Sequence, residues 1–139
     1  MGAAQSSETG ARPSDDKAAT SDRPIAHTTS FAQCLAIVEG TKTRECFVRS
    51  GDTANVGVGQ RILFGYADSD KTTEVVVTEV AHFPSTATAL ASASVAEFVP
   101  DALDVEAALK LYAFEDEAKY GVTAVRFVRP RALIETHFA

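Results

Sequence analysis

The sequence predicts an α+β domain built on a small, mostly antiparallel barrel or curled sheet. The apolar residues switch between helical spacing and β-type alternation, in the order α, β, β, β, α, α, β. The last strand comes after two helical segments, so it must pair back into the sheet formed by the earlier strands. We therefore expect one sheet, with short helices inserted before its final strand.

The length and composition are typical of one domain preceded by a disordered N-terminal tail. The chain has 139 residues, of which 45% are hydrophobic and 23% charged, enough to bury a core. Segment 1–26 is rich in Ala, Ser, Thr, Asp and Gly, and Ile25 is its only large aliphatic residue after Met1. We predict that 1–26 is disordered and that 27–139 forms the domain.

Neither a run of eighteen apolar residues nor the apolar core of a signal peptide is present, so a cytoplasmic or nuclear location is expected. The first residues match the N-myristoylation pattern, with Gly2 as the acceptor and Ser6 at the sixth position. No polybasic run or palmitoylatable cysteine lies nearby. A single acyl chain would therefore give only weak, reversible membrane anchoring.

The first helix is predicted over 31–39, with Thr28, Thr29 or Ser30 as its cap and Gly40 as its left-handed stop. Its apolar spacing predicts a single buried stripe, made of Phe31, Cys34, Leu35 and Val38. After Gly40 the chain alternates as a strand does. One face carries Thr43, Glu45 and Phe47, and the other carries Arg44, Cys46 and Val48.

The second half begins with strands at 61–66 and 72–83, which we expect to pair as an antiparallel hairpin. Ser85 is the predicted cap of a helical region over 86–98, and Asp104 that of a helix continuing unevenly to Tyr120. Gly121 ends that helix, and 122–128 is the final strand. The last residues, 131–139, are predicted to form a short apolar tail segment with Leu133, Ile134 and Phe138.

Charge is unevenly distributed along the chain. The formal net charge of −6 argues against a broad nucleic-acid-binding face, although a small nucleotide pocket remains compatible with it. The predicted strands are basic, with Lys42, Arg44, Arg49 and Arg61, whereas segment 97–117 holds seven acids and one lysine. The segregation fits a domain with one anion-tolerant side, and ordinary solvated surface charge explains it as well.

Metal and cofactor chemistry has no support in the pattern. Cys34 and Cys46 have no His or second Cys at ligand spacing, so we interpret both as buried free thiols. His27, His82 and His137 show no mutual spacing typical of a metal site or a catalytic triad. We expect no metal and no cofactor.

The candidate site is the segment 40–49. Lys42 and Glu45 at the mouth of a small barrel could pair and position a polar ligand, or the lysine could act as a base while the glutamate orients a water. The alternative is a rim salt bridge worth about 0–1 kcal/mol. Phe47 is either a core residue or a platform for stacking a base, and Arg44 and Arg49 either contact phosphate or are solvated.

Four features in this order make the chain similar to the ASCH family of small PUA-like β-barrel domains. The similarity runs from about Ser30 to Arg129. The features are the box Gly40-x-Lys42-x-x-Glu45 after a short helix, the strand Gly59-Gln60-Arg61-Ile62-Leu63-Phe64, the valine-rich strand ending in Val80 and Phe83, and Tyr120-Gly121-Val122 before a last strand ending in Phe127.

The resemblance implies binding of RNA or of a modified nucleoside in a cleft beside the box, with Gly40, Lys42, Thr43, Arg44, Glu45, Phe47, Arg49 and Arg61 as the candidate residues. One branch of the family is an amidohydrolase that removes the acetyl group of acetylcytidine. Its box lysine works with a threonine three residues on and a later glutamate. Here Glu45 occupies the threonine's position, and Glu97 and Asp101 are candidates for the later acid only by neighbourhood.

Two further departures concern the box and the next strand, where Phe47 replaces the family's arginine and Gln60 its aspartate. Our leading hypothesis is therefore a binding module whose affinity for RNA is salt-sensitive and weakened by Lys42→Ala. The alternatives are an amidohydrolase acting on an acylated nucleoside through Lys42 and Glu45, and a protein-interaction domain using its acidic helical face, 101–117.

Overall fold

The computed structural model describes residues 23–112 and 114–130. Its strands are β1 (Ile25–Thr29), β2 (Arg44–Val48), β3 (Arg61–Tyr66), β4 (Thr72–Phe83) and β5 (Val122–Val128). Its α-helices are α1 (Phe31–Glu39), α2 (Thr86–Leu90), α3 (Val95–Phe98), α4 (Val105–Leu109) and α5 (Glu117–Tyr120), with a 3-10 helix at Gly51–Thr53. The predictions for Gly2, His137 and segment 131–139 fall outside the described residues.

All five strands join one mixed sheet in the order β1-β3-β4-β5-β2, which curls into a half-barrel. The β1–β3 pair is parallel and the other three pairs are antiparallel. The predicted α+β class, the hairpin of β3 with β4 and the return of the last strand into the sheet are confirmed. Because β1 and β2 lie at opposite ends of this order, their edges form the open seam of the half-barrel.

Two hydrophobic clusters lie on the two sides of the sheet. The inner cluster packs inside the half-barrel against α1 and includes Phe47, Ile62, Phe64 and Phe127. The outer cluster packs the sheet against α2, α3 and α4, and it includes Cys46, Leu90 and Phe98. Strand β2 contributes to both, since Phe47 and Cys46 point to opposite faces and are 3% and 1% exposed.

Helix α1 has the predicted ends. The Ser30 hydroxyl accepts a hydrogen bond from the backbone N–H of Gln33, and Gly40 adopts a left-handed conformation with φ of 85°. The predicted buried stripe is wrong in three of its four members. The helix buries Cys34 and Ile37, while Phe31, Leu35 and Val38 are exposed. The helix therefore has two adjacent apolar stripes, and the narrower one, Cys34 with Ile37, packs against the sheet. Spacing alone does not reveal which stripe faces the sheet.

Strand β1 was not predicted. It takes in Ile25 and Ala26, two residues that we had placed in the tail, and it continues to Thr29. Its sequence contains one large aliphatic residue, and its partner in the parallel ladder is β3, far along the chain. A local pattern could not identify it, because a parallel pairing depends on a segment beyond any local window.

The helical region before β5 is more broken than predicted. Segment 86–98 forms two short helices, and the helix expected from 104 to 120 is divided into α4 and α5. The predicted caps are confirmed: the Ser85 hydroxyl accepts from the backbone N–H of Thr88, and the Asp104 carboxylate from that of Ala107. Within 23–112 and 114–130, no helix is long and apolar enough to cross a membrane.

Candidate functional site

Lys42 and Glu45 form a buried ion pair. Nζ of Lys42 lies 3.3 Å from Oε1 of Glu45, and the two side chains are 0% and 3% exposed. The turn at Gly40 brings them inward, because the backbone N–H groups of Thr41 and Lys42 both bond back to the carbonyl of Ala36. Nζ also donates to the carbonyl oxygen of Phe98, at the end of α3, over 2.5 Å. The pair is therefore internal, and the alternative of a rim salt bridge does not describe it.

Oε1 of Glu45 has three partners, one ionic and two hydrogen-bonded. Besides Lys42, it accepts the hydroxyl proton of Tyr112 over 2.5 Å and the backbone N–H of Cys46 over 3.1 Å. Burial, reinforced by the charge of Glu45, raises the pKa of Tyr112, so its hydroxyl keeps its proton for this hydrogen bond. Within the described residues, Oε2 of Glu45 has no hydrogen-bond partner.

A cleft of about 310 Å³ lies at the seam between β1 and β2. Glu45 lines it from one edge, and Thr28 lines it from the other. The complete lining within the described residues is His27, Thr28, Thr29, Ser30, Gln33, Glu45, Cys46, Leu111, Tyr112 and Phe114. The volume suits a small organic ligand, and the walls combine apolar and aromatic surface with a few polar groups, as ligand sites typically do.

The ring of His27 packs edge-on against Phe47 and Phe64, with centroids 4.9 Å and 5.5 Å away. Burial lowers the pKa of His27; the charge of Glu45 opposes this shift, and that of Lys42 adds to it. The imidazole is therefore neutral at pH 7. The spacing of His27 had indicated neither a metal site nor a triad, and the structure places this residue in the cleft wall.

Arg44 and Thr43 contact a different set of residues. Nε of Arg44 lies 2.7 Å from Oε1 of Glu97, and its guanidinium also reaches Glu79 at 3.8 Å. The hydroxyl of Thr43 donates to the same oxygen of Glu97 over 3.5 Å. The hydrogen bond from Arg44 lowers the pKa of Glu97. Glu97 is thus engaged with Arg44, apart from the buried carboxylate of Glu45.

The remaining predicted residues are dispersed. Arg61 pairs with Glu74 at 3.4 Å on the hairpin of β3 and β4, and Arg49 is exposed just past β2. Asp101 is exposed, and Phe47 belongs to the inner core. Of the eight predicted binding residues, only Glu45 lines the cleft, with Lys42 directly behind it.

The aromatic wall of the cleft, Tyr112 and Phe114, was not predicted. Both residues follow α4, and their ring centroids lie 5.7 Å apart. Tyr112 contacts Glu45 of β2, from which it is separated by 67 residues in the sequence. Tyr112 falls within the helix predicted from Asp104, where an aromatic residue is ordinarily part of a core. Gln33 carried no signal, since an isolated glutamine on a helix is ordinary.

Two other features bear on chemistry. Among the described residues, no group of three or more His, Cys, Asp and Glu side chains could hold a metal ion. Both cysteines are free and buried, as predicted. A second groove of about 250 Å³ lies between α1 and the β3–β4 hairpin, and the exposed apolar residues of α1 line it with Tyr66 and Lys71.

The half-barrel and its helices are similar in fold to several solved structures, ASCH proteins among them. The hypothetical protein PH0355 has a TM-score of 0.68 at 20% identity, over 77% of this chain and 99% of that one. PF0455 from Pyrococcus furiosus has a TM-score of 0.58 at 15% identity, over 77% of this chain and 97% of that one. ASCH from Zymomonas mobilis has a TM-score of 0.51 at 17% identity, over 73% of this chain and 64% of that one. No family model and no curated protein matches the sequence. At these identities the similarity concerns the fold.

Proposed function

We propose that this protein is a binding module for a nucleobase, presented by RNA or as a modified nucleoside, and that the seam cleft between β1 and β2 holds the base. The observation that carries the proposal is the carboxylate of Glu45. It is nearly inaccessible to solvent, it lines the cleft, and its Oε2 has no hydrogen-bond partner within the described residues. A buried acceptor without a partner is costly, so a ligand that donates to it gains affinity and orientation.

The cleft walls suit a flat, heteroaromatic ligand. Tyr112 and Phe114 supply aromatic surface at one end, and bases stack on such side chains in many RNA-binding domains. Thr28, Thr29 and Gln33 supply hydroxyl and amide groups on the other wall. The volume of about 310 Å³ is at the lower end of the range for ligand pockets, which fits one base or nucleoside better than a stretch of RNA.

Recognition is favoured over hydrolysis by the position of Lys42. Its ammonium group is bonded to the carbonyl of Phe98 and paired with Glu45, and Lys42 does not line the cleft. A lysine in this position orients Glu45 and does not reach a ligand. No described lysine or arginine lines the cleft, so the proposed ligand is held through its base and not through a phosphate.

The fold adds support by analogy, because ASCH-like and PUA-like domains are the class in which we expected such a cleft from the sequence. The proposal itself rests on the contacts of Glu45 and on the cleft around it.

The test is calorimetric titration of the protein with a panel of nucleosides and short single-stranded RNAs. We expect at least one nucleoside to bind, and Glu45→Gln to weaken that binding at least about tenfold, since a bidentate or charge-assisted contact to a base contributes about 1–3 kcal/mol. Glu74→Gln is the matched control, because Glu74 lies on the hairpin away from the cleft. Equal affinities of the two variants, or no binding to any nucleoside, would contradict the proposal.

A further inference from the structure

The inner end of the cleft, where Glu45 meets Tyr112, offers a ligand acceptors and no donors. A carboxylate carries no proton, and its Oε1 already accepts two hydrogen bonds and pairs with the Lys42 ammonium. Tyr112 has one hydroxyl proton, and it is directed to that same Oε1 over 2.5 Å. What remains for a ligand is Oε2 of Glu45 and the lone pair of the Tyr112 oxygen, two acceptors that both neighbour Oε1.

A ligand edge facing these acceptors has to carry adjacent N–H donors. A ligand carbonyl placed there would oppose two oxygen lone pairs, and buried polar groups left unpaired discriminate strongly between otherwise similar ligands. Uracil presents one N–H between two carbonyls. Cytosine and adenine present one amino group beside a ring nitrogen that accepts. Guanine alone of the four bases presents two neighbouring donors, N1–H and the 2-amino group.

We propose that the seam cleft selects guanine, with N1–H and the 2-amino group donating to Oε2 of Glu45 and to the Tyr112 oxygen. This inference rests on the proposed function and specifies its ligand. Guanine also has a carbonyl, O6, beside N1–H, and the hydroxyls of Thr28 and Thr29 and the amide of Gln33 line the cleft as available donors. The ring lies against the aromatic side chains of Tyr112 and Phe114.

Lys42 acts here as a positioning residue. Together with Tyr112 and the backbone N–H of Cys46 it fixes Oε1, so the carboxylate cannot rotate to offer both oxygens to a ligand. The selectivity therefore arises from one free carboxylate oxygen and one phenolic oxygen, and the charge of Glu45 is balanced from behind by the lysine.

The experiment compares guanosine with inosine, which differ only in the 2-amino group, by titration into the wild-type protein. We expect guanosine to bind at least about tenfold more tightly than inosine, because one donor of the pair is missing in inosine. Cytidine, adenosine and uridine should bind more weakly than guanosine. Agmatine, which presents the same donors on a cationic guanidinium, should bind more weakly too, because it has no ring to lie against the aromatic pair.

Two variants locate the effect. Tyr112→Phe keeps the aromatic ring and the Glu45 carboxylate while removing the phenolic oxygen, so the guanosine-to-inosine ratio should fall towards one. Tyr120→Phe is the matched control, since Tyr120 lies on α5 outside the cleft lining, and it should keep the wild-type ratio. Circular dichroism melting of each variant shows that it is folded, and the wild-type comparison of the two nucleosides needs no variant at all.

The outcomes separate this inference from the proposal beneath it. Nucleoside binding with equal affinities for guanosine and inosine, or tighter binding of another base or of agmatine, overturns the guanine assignment and leaves a cleft that binds by other contacts. Absence of binding to every nucleoside overturns the proposed function, and the guanine assignment with it.

Discussion

Oε1 of Glu45 and Nζ of Lys42 lie 3.3 Å apart in the interior, and solvent reaches almost none of either side chain. A buried ion pair has to offset the desolvation of both charges, and it does so only when further hydrogen bonds satisfy each group. Here the carbonyl of Phe98 satisfies the lysine, and Tyr112 and the backbone of Cys46 satisfy the glutamate. The two residues consequently behave as one unit, and a change to one alters the environment of the other.

Removing the lysine alone should destabilise the domain strongly. Lys42→Met leaves the Glu45 carboxylate buried without its counter-ion, and we expect a loss of about 3–5 kcal/mol in the free energy of unfolding, measured by urea denaturation. The control is Lys71→Met, because Lys71 is exposed, and its substitution should change stability by less than about 0.5 kcal/mol.

The double variant Lys42→Met/Glu45→Gln tests the coupling directly. Neutralising the glutamate should restore part of the stability lost in Lys42→Met, giving an interaction energy well above about 0.5 kcal/mol in a double-mutant cycle. Additive effects would show that the two side chains do not depend on each other, contrary to the contacts described.

Stability should fall as pH is lowered from 7.5 to 5.5. Burial lowers the pKa of His27, and that of His82 is lowered by burial and by Arg49. In the unfolded chain the pKa of histidine is near its ordinary value of about 6.5, so below that pH the unfolded chain binds more protons than the folded protein. The contribution of the two histidines to the free energy of unfolding is therefore present above about pH 6.5 and is lost below it.

Urea denaturation across this range should give a shallower pH dependence for His27→Gln and for His82→Gln than for the wild type. The double variant should be the shallowest. An unchanged slope in His27→Gln would mean that the imidazole is not held neutral in the cleft wall.

At high pH, Tyr112 makes the free energy of unfolding depend on pH in the opposite direction. Its pKa is raised, so above about pH 10, where tyrosine in the unfolded chain ionises, the unfolded state loses protons that the folded state keeps. The free energy of unfolding should therefore decrease as pH rises past about 10. Because the pKa of the Cys46 thiol is raised by burial as well, Tyr112→Phe should reduce this decrease without abolishing it.

Ultraviolet titration follows the same group directly. The wild type should retain a tyrosine that ionises above the ordinary range while folded, and Tyr112→Phe should lack that step. A wild-type titration in which every tyrosine ionises together near pH 10 would be incompatible with a buried Tyr112–Glu45 hydrogen bond.

Binding of a free nucleoside should depend little on salt. The cleft lining of the described residues contains no lysine or arginine, so few counterions are released on binding. We expect the affinity to change by less than about twofold between 50 and 200 mM salt. A steep loss would instead implicate the arginines that we predicted from the sequence, such as Arg44 and Arg49. For a ligand held by the cleft alone, this prediction differs from the salt-sensitive RNA binding expected from the sequence.

The elements that were predictable depend on local chemistry. Ser30, Gly40 and Ser85 mark helix ends through contacts within a few residues, and β-branched runs mark β4 and β5. Lys42 and Glu45 were also identified as partners, because only three residues separate them.

The parts that were not predictable depend on distant contacts. Tyr112 reaches Glu45 from 67 residues away, and β1 takes its place in the sheet only through its parallel partner β3. The arginines beside the box show that nearness in sequence does not place a residue in the cleft. Arg44 lies on the other face of β2, as the alternation predicted, and pairs with Glu97 and Glu79. Alternation along a strand sends neighbouring residues to opposite faces.

The most direct test of the account is an NMR titration of the protein with guanosine, followed through backbone amide signals. The account predicts that the largest shifts occur at the seam, at Thr28, Thr29 and Cys46. The amides at the far end of the β3–β4 hairpin, around Arg61 and Val76, should stay in place. Shifts centred on the hairpin, or an absence of shifts at Cys46 and Thr28 under saturating guanosine, would contradict a base-binding cleft between β1 and β2.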